Sequence, residues 1–538
     1  MDIKKALFPY IPLWLLKIYH RIKFLKTQER IHNQTNNNIV SSKKIELNKA
    51  VLKEKQIDTV KVIRYLVWEN QFIKNDYGKF QYKEESFNGE KNDEITIEFN
   101  NYGCWTLEII YCHQGQVAAK EIKEVNIDAP EYNIAYLAAT LPVLLFLSYM
   151  WKISKKNSPT LVLLERILFD YNNLPKNVFP FSLASKTELN TQYKGFEHSA
   201  QRMVSYIGML YKINPGAKFN LYLCDHQAYY VLPFIYANGI PEENFTVHLL
   251  SDGTASYDCF NLIFDIKKAE KRYSKMQKTW ALSKQKARET GPQEWGSETF
   301  THCGNPCVSK RARSKSLMKQ FANRSAYSYV MTNDNKNFEL VLHDVNMLQG
   351  NQAILDKMTR RVHNINFEDC RKLLDNHRSE LCKMIGLDGN PFESSYKRGK
   401  KICILLGRFP FSEDDYKYIN KTMIYFGQDY DYYIKDHPWG FSDEKRKETL
   451  KKMGIPFLNP KIPTEIYMML DPDVHIAGYL SSSFLSIGIL NNPAEQILSV
   501  WENDDCRIET NSFNFIAKTV MNIEKNTVIV YDKVSDEE

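Results

Sequence analysis

Residues 432–440 read Tyr-Tyr-Ile-Lys-Asp-His-Pro-Trp-Gly, and this stretch decides the fold. An apolar run ends in Lys435, His437 and Pro438, which is the pattern of a buried parallel strand that delivers polar side chains to the carboxyl edge of a sheet. Proteins that alternate strands and helices bind their ligands at that edge. The stretch therefore predicts an α/β fold with a ligand site around residues 435–438. An ordinary exit from strand to loop is the alternative.

A second strand of this kind covers residues 474–480 and opens into a run of three serines, of which Ser481 and Ser482 are the first. A helical pattern begins directly after the run, at residues 484–490. Hydroxyls and unpaired backbone N–H groups at the start of a helix form an anion site, although the serines could also serve as N-caps alone. Together the two strand ends predict a ligand that carries phosphate, such as a nucleotide-activated molecule.

The chain has 538 residues, too many for one ordinary core, and its pattern changes along its length. Residues 1–55 form an amphipathic N-terminal segment and a polar linker. Residues 56–128 alternate with period two between short turns, which is typical of a small immunoglobulin-like β-sandwich. Strands then alternate with helices, which predicts two Rossmann-like domains, residues 129–395 and 396–538, that face a cleft. The C-terminal tail is a candidate to pack back on the first of them.

Composition and charge limit the partners and the compartment. The net charge is +7, and no basic stripe with interleaved aromatic residues indicates nucleic-acid binding. Ten cysteines show neither a disulfide framework nor a second ligand pair for zinc, which favours a reducing, cytoplasmic setting. Residues 7–16 are apolar, and basic residues follow at once, so we expect either an interfacial helix on an anionic inner-membrane surface or a buried first helix.

The first α/β domain offers two candidate site residues at strand ends. Asp252 follows a strand and precedes Gly253, which lets the backbone turn away while the carboxylate faces the cleft. Such a carboxylate could act as a general base, or it could be a turn aspartate. His226 ends the neighbouring strand and could bind a sugar hydroxyl or support Asp252, unless it is a partly buried structural histidine.

The second α/β domain offers candidates for a nucleotide. Lys435 and His437 alternate along one strand and can face the same side, where His437 would neutralise phosphate charge. Glu465 lies in the first turn of a predicted helix and could interact with the helix dipole or accept hydrogen bonds from ribose hydroxyls. Residues 471–473, Asp-Pro-Asp, read as a turn rather than a metal motif, so neither a metal nor a cofactor is predicted.

The ordered set of motifs resembles the bacterial GT-B sialyltransferases that act on β-galactosides, a family of marine bacteria and Pasteurella-type species. That family carries an acidic-acidic-Gly motif after a strand, a Lys-Gly-His-Pro motif and a Ser-Ser pair, which here look like residues 251–253, 435–438 and 481–482. Residues 463–469 resemble its ribose-binding helix, and residues 225–233 its acceptor-side histidine segment. The resemblance covers residues 130–538, and some members also have an N-terminal immunoglobulin-like domain.

This resemblance implies an inverting transfer of sialic acid from CMP-sialic acid to a galactose hydroxyl of a β-galactoside glycan, with 2,3 or 2,6 linkage. It implies the following roles: Asp252 as general base, His226 at the acceptor or donor sugar, Lys435 near the cytosine, Glu465 on the ribose, and His437, Ser481 and Ser482 on the CMP phosphate, with Gly253 and Pro438 completing their motifs. Three positions depart from the family: Ser251 replaces the first acidic residue, Asp436 replaces the glycine, and Phe411 stands where an aromatic residue, usually Trp, is expected.

Three other functions compete with this one. A GT-B enzyme that uses another CMP-activated sugar, such as a Kdo transferase, would differ only in its donor and acceptor pockets. A non-catalytic two-lobed sugar-binding protein would need no carboxylate like Asp252 beside a phosphate site. A membrane-associated structural protein would bind no nucleotide at all.

Overall fold

The computed structural model describes most of the chain between residues 39 and 478 and short pieces beyond. The described ranges are 39–69, 71, 77–90, 92–137, 140–154, 158–164, 174–175, 178–180, 194–224, 231–232, 235–251, parts of 270–291, 338–342, 356, 362–364, 367–387, 389–407, 414–436, 444–460, 462–471, 473–478, 483, 497–498 and 529–530.

The N-terminal part is built from two antiparallel sheets. Its elements are β1 (Ser41–Glu46), α1 (Lys49–Glu54), β2 (Thr59–Glu69), β3 (Tyr77–Asn88), β4 (Glu94–Phe99), β5 (Gly103–His113) and β6 (Gln116–Ile127). One sheet has the order β3-β2-β5-β6, and the other pairs β1 with β4. Alternate residues of β4 are buried, as period-two patterning requires. The period-two strand pattern predicted within residues 56–128 is thus confirmed, whereas an immunoglobulin-like topology stays a prediction.

The predicted linker is wrong over residues 39–55. There β1 pairs in antiparallel register with β4, from Ser41 opposite Phe99 to Glu46 opposite Glu94. Ile45, Leu47 and Leu52 are buried in the hydrophobic core. The pattern was hidden because β1 is short and most of its other residues are exposed and polar, so the composition of the segment resembles that of a linker.

The first α/β part is a sheet of seven parallel strands. The strands are β7 (Glu131–Leu137), β8 (Thr160–Leu164), β9 (Val178–Pro180), β10 (Lys218–Cys224), β11 (Phe245–Leu250), β12 (Phe338–Leu342) and β13 (Val362–Asn364), with α2 (Thr140–Ser154), α3 (Lys194–Ile213) and α4 (Phe367–Ile385). The strand order is β13-β12-β11-β10-β7-β8-β9. The chain builds outward from β7 in both directions, so the order reverses between β7 and β10, where doubly wound sheets bind ligands. The strands β12 and β13 lie in a long charged region and were not identified from the sequence.

The β-rich part packs against the first α/β part through α3. Trp68 of β2 lies with its ring 5.0 Å from that of Tyr206 on α3. The buried hydroxyl of Tyr206 donates a hydrogen bond to the carbonyl of Tyr102, just before β5. One hydrophobic core therefore runs through both parts.

The second α/β part is smaller. It contains α5 (Glu393–Lys397), β14 (Lys401–Leu406), α6 (Asp414–Phe426), β15 (Tyr430–Lys435), α7 (Glu444–Lys452), α8 (Thr464–Leu470), β16 (His475–Gly478), β17 (Ile497–Leu498) and β18 (Ile529–Val530). The three-stranded sheet has the order β15-β14-β16, with all pairs parallel. Its chain order reverses between β14 and β16. The described piece of the C-terminal tail, β18, pairs with β17.

Helix α4 connects the two α/β parts. It packs against α2 and α8, and the guanidinium Nη2 of Arg378 donates to the carbonyl of Leu470 at the end of α8, at 3.0 Å. The backbone of α4 leaves helical geometry at His377, one residue before that contact. The carboxyl end of α8 is therefore fixed by a contact with α4 of the first α/β part.

Among the described residues, no helix is both long and apolar enough to cross a membrane. The predicted interfacial helix, residues 7–16 with the basic residues that follow them, lies outside the described residues, so it stays a prediction.

Substituting Ile45→Ala tests the corrected assignment of residues 39–55. We expect the variant to lose about 2–4 kcal/mol of stability, because it leaves a cavity between β1 and the core. The measurement is the urea unfolding midpoint, with the exposed Ser42→Ala on the same strand as control. Equal urea midpoints for Ile45→Ala and wild type would contradict the assignment of this segment to the core and would support the original prediction of a linker.

Candidate functional site

The carboxyl ends of three parallel strands lie side by side in the second α/β part. Leu406, the last residue of β14, is paired with Lys435 on β15 and with Gly478 on β16. The chain segments that follow these residues therefore leave the sheet at one edge, which is the edge where α/β proteins bind ligands.

The approach of β16 to β14 at this edge requires a glycine. Gly478 has a φ of +137°, and a Cβ atom there would lie 2.6 Å from the carbonyl oxygen of Leu406 and 2.8 Å from its nitrogen. A side chain would therefore both strain the backbone and push the two strands apart. The predicted Ser481 and Ser482 follow shortly after this glycine but lie outside the described residues.

Lys435 is a buried cation at the end of β15. Its ammonium donates to the carbonyl of Asp436 at 3.1 Å and to that of Pro460 at 2.9 Å. Burial lowers the pKa of Lys435 to about 8, while the nearby charges of Glu465 and Asp436 act against that shift. The side chain thus ties the strand end to the segment that leads into α8.

Glu465 lies in the first turn of α8, two residues after the N-cap Pro463, and is only 3% exposed. A carboxylate at this position interacts favourably with the helix dipole. Its charge also raises the affinity of Lys435 for a proton. The fold therefore brings together two residues that are thirty positions apart and that the sequence analysis had placed on one ligand.

Asp436 is not a free negative charge. It is 4% exposed, and both of its carboxylate oxygens accept hydrogen bonds from Arg446 on α7, with 3.1 Å between Nη1 and Oδ2. The departure from the family pattern at this position is thus compensated within the protein. Sequence reasoning missed Arg446 because it stands in a run of charged residues on α7, ten residues from its partner.

In the first α/β part, β10 and β11 end in register, with Cys224 paired to Leu250. Ser251, the next residue, is buried, and its backbone N–H donates to the carbonyl of Val341 on β12 at 3.0 Å. The chain therefore leaves both strands at one edge of the sheet, and the predicted Asp252 and His226 come next in sequence.

Of the ten predicted site residues, Lys435 and Glu465 fall within the described part of the chain. The other predicted site residues lie outside it: His226, Asp252, Gly253, Phe411, His437, Pro438, Ser481 and Ser482. Within the described ranges, no group of three or more His, Cys, Asp or Glu residues could hold a metal ion.

Three solved structures show what this arrangement resembles. A sialyltransferase from Photobacterium damsela aligns with a TM-score of 0.52 at 13% identity, over 92% of this chain and 98% of its own. An α/β-galactoside α-2,3-sialyltransferase from Photobacterium phosphoreum aligns with a TM-score of 0.53 at 15% identity, over 74% and 99%. A 2,6-sialyltransferase from a Photobacterium species, solved with CMP and lactose, aligns with a TM-score of 0.52 at 14% identity, over 91% and 94%.

No protein-family model matches the sequence, and no curated protein matches it. At identities of 13–15% the structural likeness establishes the fold alone. The predicted fold class is confirmed: the chain has the GT-B fold of bacterial sialyltransferases.

The lowered pKa of Lys435 predicts a stability effect with a definite sign. The folded protein releases this proton near pH 8, whereas the unfolded chain keeps it up to the ordinary lysine range. The cost of burying the charge is therefore fully present below pH 8 and is relieved as the pH rises toward 10, by at most about 3 kcal/mol.

The measurement compares melting temperatures of wild type and Lys435→Met from pH 7 to pH 10. The melting temperature of wild type should rise relative to that of Lys435→Met as the pH rises. Lys421→Met, which removes an exposed lysine on α6, should show no such trend. A difference for Lys435→Met that is independent of pH would contradict the assignment.

Proposed function

We propose that this protein is an inverting glycosyltransferase that moves sialic acid from CMP-sialic acid to a galactose hydroxyl of a β-galactoside glycan. The main support is that Lys435 at the carboxyl edge of the second sheet and Glu465 at the start of α8 are both buried and close enough for their charges to interact. The GT-B fold and the order of the sequence motifs support the same conclusion.

The nucleotide is proposed to bind along α8. The carboxylate of Glu465 would accept hydrogen bonds from both ribose hydroxyls, as acidic residues do in nucleotide folds. An ammonium group has three N–H donors, and carbonyl oxygens occupy two of those of Lys435. We propose that the third faces the cytosine, because the buried strand end and the first turn of α8 hold these two side chains close to each other.

The phosphate of the donor is proposed to bind where β15 and β16 end. His437 follows Asp436 directly, and Ser481 and Ser482 follow Gly478 at the neighbouring strand end. During transfer the bond between the anomeric carbon and the phosphate oxygen breaks, and its electron pair stays on CMP. Groups that bind this growing charge more strongly in the transition state than in the ground state lower the barrier.

The acceptor is proposed to enter from the first α/β part. Its galactose oxygen would bond to the anomeric carbon from the face opposite CMP, which inverts the configuration, while Asp252 takes the hydroxyl proton. His226 would contact the acceptor or the donor sugar. The ends of β10 and β11 in register support this placement, since Asp252 and His226 both follow those ends closely in sequence.

Linkage position remains outside the proposal, because both 2,3- and 2,6-sialyltransferases are among the structural relatives. The lactose in one of those structures makes a galactose-containing acceptor the first to test. For the apolar residues 7–16 and the basic residues that follow them we propose peripheral contact with an anionic membrane, on the basis of that pattern.

Release of CMP from CMP-sialic acid tests the function. The purified protein should release CMP, and lactose should accelerate the release because a hydroxyl acceptor then replaces water. The measurement is a coupled CMP assay with and without lactose, with CMP-Kdo as the comparison donor. Release of CMP from CMP-Kdo but not from CMP-sialic acid would identify Kdo rather than sialic acid as the donor sugar. Failure of the protein to bind CMP would contradict the proposed nucleotide site.

Substituting Asp252→Ala tests the proposed base. Transfer should fall by about a hundredfold or more, the range that a general base contributes, while the Kd for CMP stays nearly unchanged. Glu243→Gln, which removes an exposed carboxylate just before the opposite end of β11, should leave both unchanged. If Asp252→Ala lost transfer activity and CMP affinity to the same extent, Asp252 would not be the general base.

A further inference from the structure

The buried pair of Asp436 and Arg446 has a role in donor binding that the proposed reaction does not itself assign. We propose that Arg446 is a positioning residue for the nucleotide donor: it cancels the charge of Asp436 and fixes the end of β15, so that the donor phosphate meets no free carboxylate. This inference rests on the proposed function.

The pair is built as a two-pronged contact away from solvent. Nη1 of Arg446 donates to Oδ2 of Asp436, and Nη2 donates to Oδ1. The side chain of Arg446 is 7% exposed and that of Asp436 is 4% exposed. A planar guanidinium facing a carboxylate through two hydrogen bonds fixes direction as well as charge, which a lysine could not do.

The backbone of β14 forms the third side of this pair. Gly407, the first residue after β14, donates its N–H to the carbonyl of Lys435 at 2.9 Å. A Cβ atom at Gly407 would lie 2.7 Å from Oδ1 of Asp436 and 3.2 Å from Nη2 of Arg446. The pair therefore fills the space that the missing side chain leaves, and it locks the ends of β14 and β15 together.

Arg446 is anchored on its other side by an aromatic ring. Its guanidinium carbon lies 5.8 Å from the ring centre of Phe457, a distance typical of a cation–π contact. Phe457 in turn forms a parallel bridge with Ile434 of β15. Helix α7, β15 and the segment before α8 thus converge on one guanidinium.

The location of the pair indicates what it is for. A buried ion pair is a poor source of stability, because desolvation offsets its attraction and apolar residues often replace it without loss. Asp436 directly precedes His437, the residue proposed to bind the donor phosphate. An unpaired carboxylate there would repel the phosphate, whereas the neutral pair does not.

Binding of CMP to charge variants tests this inference. Arg446→Met should weaken CMP binding by at least about tenfold, because it leaves the charge of Asp436 uncompensated next to the phosphate. The double variant Asp436→Asn with Arg446→Met should recover most of that loss, although the two hydrogen bonds remain absent. Lys452→Met, which removes an exposed positive charge from the last turn of the same helix, is the matched control.

The measurement is calorimetric titration of the full chain with CMP, with circular dichroism to verify folding of every variant. If Arg446→Met does not fold, Arg446→Gln replaces it, since it also removes the positive charge while Asp436 is kept and should show the same loss of about tenfold. Wild-type affinity in a folded Arg446→Met, or a double variant as weak as Arg446→Met, would overturn the inference. Absence of CMP binding by the wild type would instead overturn the proposed function.

Discussion

The parallel pairing of β14 with β15 on one side and β16 on the other is the constraint on which the candidate site depends. It aligns Leu406, Lys435 and Gly478 at one edge of the sheet. The segments that follow Lys435 and Gly478 therefore start from fixed positions on either side of β14, although some forty residues of chain separate them. Gly478 allows the close approach that this register demands, because any Cβ atom would collide with the backbone of β14.

Charge is concentrated at that edge to an unusual degree. Two cations, Lys435 and Arg446, and two anions, Asp436 and Glu465, are each less than 9% exposed. Burial of so many charges is costly unless they compensate one another, and sites of function are where such arrangements persist. Here the balance is internal, with Arg446 facing Asp436 and Lys435 in the field of Glu465, so these four groups carry no net negative charge.

Much of this architecture could be predicted from patterns in the sequence. The strands that end before His226 and before Asp252 and the strand that ends at Lys435 were predicted correctly, because buried parallel strands are continuous apolar runs with polar residues at their ends. The short strands β12 and β13 were not predicted, because a long charged segment surrounds them. The strand β1 escaped because it buries only one face.

The candidate site was harder to predict than the fold. Lys435 and Glu465 were found because motif order pointed to them, and the fold brings them together. Arg446 gave no local signal in the sequence, since its partner is ten residues away and its neighbours on α7 are also charged. Pairing of buried charges is decided by tertiary contacts, so Asp436 read from sequence as an added negative charge rather than as one half of a neutral pair.

The central claim is that this strand edge binds a nucleotide through its phosphate as well as its nucleoside. The most direct measurement is calorimetric titration of the wild-type protein with CMP and, separately, with cytidine. The account predicts saturable binding of CMP and binding of cytidine that is weaker by at least about tenfold, because the phosphate contacts at the strand ends are then lost. Equal affinity for the two ligands, or binding of neither, would contradict it.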